Sequence, residues 1–197
     1  MQPVPLRVEK LRRAMRGCII GQEIHVLEKT TSTNDALWQR MGGETLSGLT
    51  VFAETQTAGR GQHGNVWESA PRKGLWFSVI LQPKITLAES SALTTWAAGS
   101  VCEILREYGL DVRVKAPNDV VADRRKVAGV LVEMRARQNS SHVAILGIGV
   151  NINQSPEDFP DAIRDLATSP AIILGRQLDR TELAIALLHR LNKSYRW

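Results

Sequence analysis

The sequence predicts an α+β fold with a mixed, largely antiparallel sheet and helices on one face. Two observations support this prediction. Apolar, β-branched segments alternate along the chain with amphipathic ones, and two pairs of them are joined by short polar connections, at Asp123–Arg125 and at residues 138–141. Such connections are typical of antiparallel hairpins. Helices between the other strands favour a sheet covered by helices, and 197 residues with 43% apolar content can fill one such core.

The segments are assigned in chain order from their periodicity and boundaries. Helices are predicted at residues 6–16, 33–41, 87–108 and 180–195, with a short one near 157–168. The helix at 33–41 follows Ser and Thr residues that can cap its first amides. Strands are predicted at residues 24–28, 49–55, 74–82, 111–115, 119–122, 126–136 and 142–150. We expect these elements to form one domain over residues 1–197.

Composition excludes several classes of function. The net charge is +5, but the excess of basic residues lies at the two ends of the chain, around a slightly acidic centre. A nucleic-acid groove needs a continuous basic face, so we expect no DNA partner. No apolar run approaches the ~20 residues of a membrane span. Two cysteines without a CxxC spacing indicate free thiols in the cytoplasm, and four scattered histidines predict no metal site.

A glycine-rich segment at residues 58–67 contains three glycines and one arginine between two predicted strands. Such a loop brings backbone amides close to an anion. It fits the pattern G-x-G-x-x-G, but Pro71 and Gly74 prevent the helix that a dinucleotide site requires. The H-R-D and D-F-G motifs of kinases do not occur, and neither does G-K-[ST].

Four further motifs accompany this loop in a fixed order. They are T-S-T-N-D at Thr31–Asp35, K-A-P-N-D at Lys115–Asp119, K-V-A-G-V-L-V-E at Lys126–Glu133 and G-I-G-V-N at Gly147–Asn151. With the loop, this ordered set resembles the biotin protein ligases. The resemblance covers most of the chain and implies the fold shared with class II aminoacyl-tRNA synthetases.

The resemblance implies an ATP-dependent, AMP-forming ligase. It implies that biotin and ATP, with Mg²⁺, give biotinyl-5′-AMP. The biotinyl group then passes to a lysine of a biotin carboxyl carrier protein of acetyl-CoA carboxylase or a related carboxylase. It leaves open whether the chain forms a homodimer. Only about 25 residues precede the first predicted strand, so we expect no N-terminal winged helix in this sequence.

Three residues are the predicted catalytic groups. Lys126 begins a strand and would neutralise the biotin carboxylate and the α-phosphate, since the first step brings two anions together. Arg60 would close over the acyl-phosphate and shield it from water. Asp119 lies where a carboxylate could position magnesium or orient the attacking lysine. Without the neighbouring motifs, Lys126 would be read as a strand-edge lysine.

The resemblance also assigns the binding residues. Biotin would be held by Ser32, Thr33, Asn34, Gln56, Gly59, Arg60, Gly61, Gln62, Lys126 and Gly129. ATP would be held by Arg60, Trp67, Lys115, Asn118, Lys126 and Asn151. The hydroxyl and amide side chains suit the ureido head of biotin, although Ser32 and Thr33 also suit plain helix capping.

The sequence departs from the family pattern at three places. Gln62 stands where many members have arginine, and Ala116 replaces the tryptophan of K-W-P-N-D. The chain ends at Trp197, where the family usually continues into a small C-terminal β-barrel domain. Two other readings stay open: a lipoate ligase or lipoyl transferase, whose three consecutive glycines are missing here, and a truncated biotin-binding module without activity.

Overall fold

The computed structural model describes residues 4–41, 47–136 and 142–197, so the predicted turn at 138–141 lies outside the described residues. Within these ranges, seven strands form one sheet. They are β1 (Ile24–Leu27), β2 (Thr50–Ala53), β3 (Gly74–Leu81), β4 (Arg113–Lys115), β5 (Asp119–Ala122), β6 (Arg125–Ala136) and β7 (His142–Asn151). All seven predicted strands are present, and each observed end lies within two residues of the predicted end.

The strand order in the sheet is β1-β2-β3-β7-β6-β5-β4. Strands β1 and β2 run parallel, and each other neighbouring pair is antiparallel. The predicted hairpin between β5 and β6 is confirmed. Its turn residues Asp123 and Arg124 both have positive φ, 43° and 62°, which is the backbone of the tight turn that matches strand twist.

Six α-helices complete the described part of the fold. They are α1 (Val8–Ala14), α2 (Thr33–Arg40), α3 (Ser90–Glu107), α4 (Asp161–Arg164), α5 (Pro170–Leu174) and α6 (Arg180–Ser194). Between residues 156 and 174 the structure differs from the single short helix predicted. A 3₁₀ turn at Pro156–Asp158 precedes α4, and α5, which was not predicted, begins after Ser169 and ends at Gly175.

The core lies mainly on one face of the sheet. There α1, α3 and α6 pack against alternate strand residues such as Phe52, Phe77 and Val79. The fold class predicted above is confirmed. One detail differs: helices were predicted on one face of the sheet, and the structure has them on both faces. Helix α2 packs on the opposite face, where Leu37 meets Val51 and Ile80 in a smaller cluster. Because side chains alternate along a strand, apolar residues at consecutive positions in β2 and β3 serve both faces.

One buried ion pair ties the N-terminal segment to the sheet. Arg180 is 5% exposed and Glu54 is 1% exposed, and their side chains meet at 2.8 Å. Arg180 also donates to the carbonyl oxygens of Gly74 and Val4, while Glu54 accepts from the Leu6 amide. The charges are therefore fully hydrogen-bonded inside the protein, as buried charges need to be.

Candidate active site

A cavity opens where α2, the glycine-rich loop and strands β6 and β7 meet. It is lined by Ser32, Thr33, Asn34, Gln56, Arg60, Gly61, Trp67, Asn118, Lys126, Gly129, Val130, Leu131, Gly147, Ile148 and Gly149. Ten of these are residues for which the sequence predicted a role, and all of them except Gln56 come from four separate motifs. The structure therefore brings the predicted hydroxyl and amide side chains together with both predicted catalytic cations, Lys126 and Arg60, around one space.

The polar wall of the cavity is built by the start of α2. Ser32 caps the helix, since its hydroxyl accepts from the Asn34 amide at 3.3 Å. The Thr33 amide donates to Gln56 Oε1 at 2.9 Å. Behind them, the Ser78 hydroxyl lies 2.7 Å from Thr33 Oγ1 and 2.5 Å from Asn34 Oδ1. Helix capping and site formation are thus carried out by the same residues.

Three glycines form the floor of the cavity. A Cβ on Gly149 would lie 2.6 Å from the Trp67 ring, and one on Gly129 would lie 2.9 Å from it. A Cβ on Gly147 would clash with the Asn34 amide. Any side chain at these positions would displace a residue of the site. Gly147 and Gly149 were not predicted as site residues, although the G-I-G-V-N motif that contains them was part of the resemblance.

The glycine-rich loop forms a small hairpin over one side of the cavity. The Trp67 amide donates to the Gly59 carbonyl at 2.9 Å, and the Gly61 amide donates to the Asn65 carbonyl at 2.7 Å. No helix follows the loop, as predicted. Trp67 points back into the molecule, where its ring meets the edge of Trp76 at 6.0 Å.

The two predicted catalytic cations each have carboxylate partners. Lys126 Nζ lies 2.6 Å from Asp119 and 5.3 Å from the centre of the Trp67 ring. Arg60 contacts Asp35 at 2.6 Å and Glu133 at 3.2 Å. The hydrogen bond between Arg60 and Asp35 lowers the pKa of the carboxyl and raises the pKa of the guanidinium. Both cations are partly exposed, so an anion in the cavity can reach them.

Five predicted residues do not line this cavity. Asp119 lies behind Lys126 as its ion-pair partner, and Gly59 is buried beneath the backbone of Trp67. Gln62 sits in the 3₁₀ turn at the tip of the loop. Lys115 is exposed on β4. Asn151 is buried, with its amide group donating to the carbonyl oxygens of Lys126 and Thr168.

A second, more apolar cavity adjoins the first and shares Trp67 and Lys126 with it. Its lining also includes Val66, Glu68, Asn151, Phe159, Ile163, Leu166 and Ala167. The segment after α4 is fixed to Lys126, because the Lys126 amide donates to the Leu166 carbonyl at 2.7 Å and the Thr168 amide donates to the Lys126 carbonyl at 2.9 Å. This role was not predicted for Phe159, Ile163 or Leu166, because they lie outside every motif.

Three polar residues that support the site were also missed. Asp35 and Glu133 hold Arg60, and Ser78 links Thr33 to Asn34. Asp35 and Glu133 end two of the motifs, which was a usable signal. Ser78 stands alone in an apolar strand, so only its position in space reveals it.

The described ranges lack two other kinds of feature. Residues 4–41, 47–136 and 142–197 contain no group of three His, Cys, Asp or Glu side chains that could hold a metal ion. Over the same part of the chain, no helix has the length and apolar character needed to cross a membrane.

Comparison with known proteins identifies the family. Residues 26–151 match the model of the biotin/lipoate A/B protein ligase family, so the chain belongs to that family. It is 34% identical over 196 residues to the bifunctional ligase/repressor BirA of Bacillus subtilis, covering 99% of this chain and 60% of that protein. It is 32% identical to the biotin--[acetyl-CoA-carboxylase] ligase of Mycobacterium tuberculosis, covering 95% of this chain and 70% of that protein.

A solved structure is similar as well. The biotin protein ligase from Aquifex aeolicus in complex with biotin and ATP superposes with a TM-score of 0.74 at 33% identity, covering 87% of this chain and 69% of that one. The chain thus spans about 60% of the length of the B. subtilis relative.

Proposed function

We propose that this chain is the catalytic part of a biotin protein ligase. The observation that carries the proposal is the wall of hydroxyl and amide groups at Ser32, Thr33 and Gln56, which faces the same cavity as Lys126 and Arg60. Biotin has a ureido ring that can hydrogen-bond at one end and a carboxylate at the other. Lipoate has an apolar dithiolane ring that can neither donate to nor accept from this wall, and a polar group that loses water without gaining a hydrogen bond from the ligand costs about 1–3 kcal/mol.

In the first step, a biotin carboxylate oxygen forms a bond to the α-phosphorus of ATP, and the bond to pyrophosphate breaks. Two anions must approach each other, so nearby cations stabilise the transition state. Lys126 and Arg60 can do this if their ion pairs with Asp119, Asp35 and Glu133 are replaced by contacts with the ligand anions. Trp67 and the apolar second cavity offer a surface for the adenine, with Asn118 on the side of the first cavity.

Magnesium would enter with the nucleotide. Mg²⁺ at nucleotide sites is usually held by one or two carboxylates together with substrate phosphates. Asp119, next to Lys126, is the carboxylate in this cavity region that fits such an ion. When bound, the ion would supply charge neutralisation at the phosphates.

In the second step, a carrier lysine amine forms an amide bond with the biotinyl carbonyl, and AMP leaves. The amine loses a proton to solvent, and Asp119 is the group proposed to orient the amine. The acceptor we propose is the biotin carboxyl carrier protein of acetyl-CoA carboxylase or a related carboxylase. We further propose that the sheet and its helices act as one catalytic domain in the cytoplasm, where Cys18 and Cys102 stay free thiols.

The proposal is tested by ATP–pyrophosphate exchange with biotin, with lipoate and with neither acid. Biotin-dependent exchange is the expected result. Lipoate-dependent exchange would instead support the lipoate ligase reading, and binding of biotin without exchange would support the inactive binding module. The Lys126→Ala variant serves as the control for contaminating activity, because its exchange should fall with either acid.

A further inference from the structure

Glu133 connects the polar wall of the cavity to the glycine-rich loop, yet it does not line the cavity. One oxygen, Oε2, accepts from Asn34 Nδ2 and from Trp38 Nε1, each at 2.9 Å. The other oxygen, Oε1, accepts from Arg60 at 3.2 Å. A carboxylate paired with arginine can only accept hydrogen bonds. The atom of Asn34 that faces Glu133 must therefore be the amide nitrogen.

The orientation of Asn34 then fixes the hydrogens of its neighbours. With Nδ2 directed at Glu133, Oδ1 faces the Ser78 hydroxyl at 2.5 Å and can only accept from it. Ser78 has one hydroxyl hydrogen, so its 2.7 Å contact with Thr33 Oγ1 requires Thr33 to be the donor. Thr33 Oγ1 has a single hydrogen, which is given to Ser78, so Gln56 Oε1, 3.2 Å from that hydroxyl, accepts from the Thr33 amide instead.

The result is a defined donor and acceptor pattern at the cavity surface. Thr33 Oγ1 has given its hydrogen to Ser78 and presents lone pairs. Ser32 Oγ accepts from the Asn34 amide, and no group in the described part of the chain accepts the Ser32 hydroxyl hydrogen. The wall thus offers one acceptor beside one donor, which complements an N–H beside a C=O, the arrangement of a cyclic urea.

We propose that Glu133 is a positioning residue that orders the hydrogen-bond chain from Asn34 through Ser78 to Thr33, and so sets the site to accept a ureido N–H at Thr33. This inference rests on the proposed function. If these hydrogen bonds ran in the opposite direction, the Thr33 hydroxyl hydrogen would point toward Gln56 or the ligand. There it would compete with the ligand N–H for the same space.

Binding titrations on the full chain test the inference. The ligands are biotin and two analogues, each with one ureido N–H replaced by a ring oxygen. The unaltered protein should prefer biotin to the analogue that lacks the N–H facing Thr33. Glu133→Met removes the acceptor and releases Asn34. Glu133→Met should weaken biotin binding by roughly 3- to 10-fold. It should weaken binding of the analogue that lacks the N–H facing Thr33 by less, so the ratio of the two affinities decreases.

Two control variants distinguish the effect of the order of hydrogen-bond donors and acceptors from the effect of the charge near Arg60. Glu133→Gln can keep an oxygen toward Asn34 and Trp38 while losing its charge toward Arg60, so it should retain the preference. Asp35→Asn removes the other carboxylate of Arg60 and should also leave the preference unchanged. Should Glu133→Met fail to fold, Ser78→Ala breaks the same chain with Glu133 intact and should narrow the preference likewise.

Each outcome is decisive. An unchanged preference in folded Glu133→Met or Ser78→Ala, or an equal loss in Glu133→Gln and Glu133→Met, would overturn the inference. In those cases biotin-dependent exchange by the unaltered protein would leave the proposed function standing. Absence of biotin binding by the unaltered protein would overturn both.

Discussion

Two sets of ion pairs in this protein have opposite environments. Arg180 and Glu54 meet inside the protein, and both form further hydrogen bonds to backbone groups, those of Gly74, Val4 and Leu6. The pairs around the cavity, Lys126 with Asp119 and the contacts of Arg60, keep between about a quarter and two-fifths of their side chains exposed. The first set joins the N-terminal segment, β2, β3 and α6, whereas the second lies at the edge of an open space.

The difference indicates how each pair contributes. Removing one member of a fully buried pair leaves an unpaired charge that water cannot reach, so the pair is important for stability. A half-exposed pair is screened by water and adds little to stability, so its cation can change partners at low cost. The cavity cations are therefore suited to bind ligand anions, and the buried pair is suited to hold the scaffold.

The largest effect is expected for the buried pair. Arg180→Ala should lower the free energy of unfolding by about 3–5 kcal/mol, because it leaves the Glu54 carboxylate buried without its partner. Urea denaturation measures the change. Arg72→Ala is the matched control, since Arg72 pairs with exposed Glu28 and should cost under about 1 kcal/mol. Equal losses in the two variants would contradict the comparison.

The pair of Arg180 and Glu54 also shows which features could not be predicted from the sequence. The periodicity located each strand, and the cap residues located α2, because both are local properties. The pairing of Glu54 with Arg180 and the position of Ser78 behind Thr33 depend on contacts between distant segments. No local pattern contains them. The motifs found most of the cavity because their residues line it directly, whereas α5 and the Phe159, Ile163 and Leu166 side of the second cavity lie outside any motif.

The next effect concerns Lys126. Lys126→Ala should lower the rate of adenylate synthesis by roughly 10- to 100-fold, since hydrogen bonds to charged groups are worth about 1.5–3 kcal/mol. Its unfolding free energy should change little. Lys115→Ala, which removes an exposed lysine outside the cavity, is the matched control. Near-normal synthesis in Lys126→Ala with a loss in Lys115→Ala would show that the roles of the two lysines have been exchanged.

The glycine floor predicts an effect on packing. Gly149→Ala places a Cβ against the Trp67 ring, which should cost about 1–3 kcal/mol of stability or displace the ring. Tryptophan fluorescence and the KM for ATP report the displacement. Gly99→Ala in α3 has open space around the added methyl group and should be neutral or stabilising. An unaltered fluorescence spectrum and KM in Gly149→Ala would argue against a role for Trp67 at the nucleotide.

The smallest effect is expected at the loop tip. Gln62 does not line the cavity, but an arginine there is longer and carries a fixed charge that can reach the acyl-phosphate. Gln62→Arg should slow the release of biotinyl-adenylate by an amount on the order of 1 kcal/mol, measured by rapid filtration. His63→Arg adds the same charge at the next, exposed position and is the control. Equal rates of biotinyl-adenylate release from both variants and the unaltered protein would show that charge at position 62 does not hold the adenylate.

The central claim is that the cavity cations are functional and the buried cation is structural. Double-mutant cycles on the pairs Lys126–Asp119 and Arg180–Glu54, measured in both unfolding and biotin-dependent exchange, test it most directly. We expect a coupling of several kcal/mol in unfolding for Arg180–Glu54, and under about 1 kcal/mol for Lys126–Asp119, whose variants should lose exchange activity instead. A large unfolding coupling for Lys126–Asp119, with exchange activity retained in folded Lys126→Ala, would contradict the account.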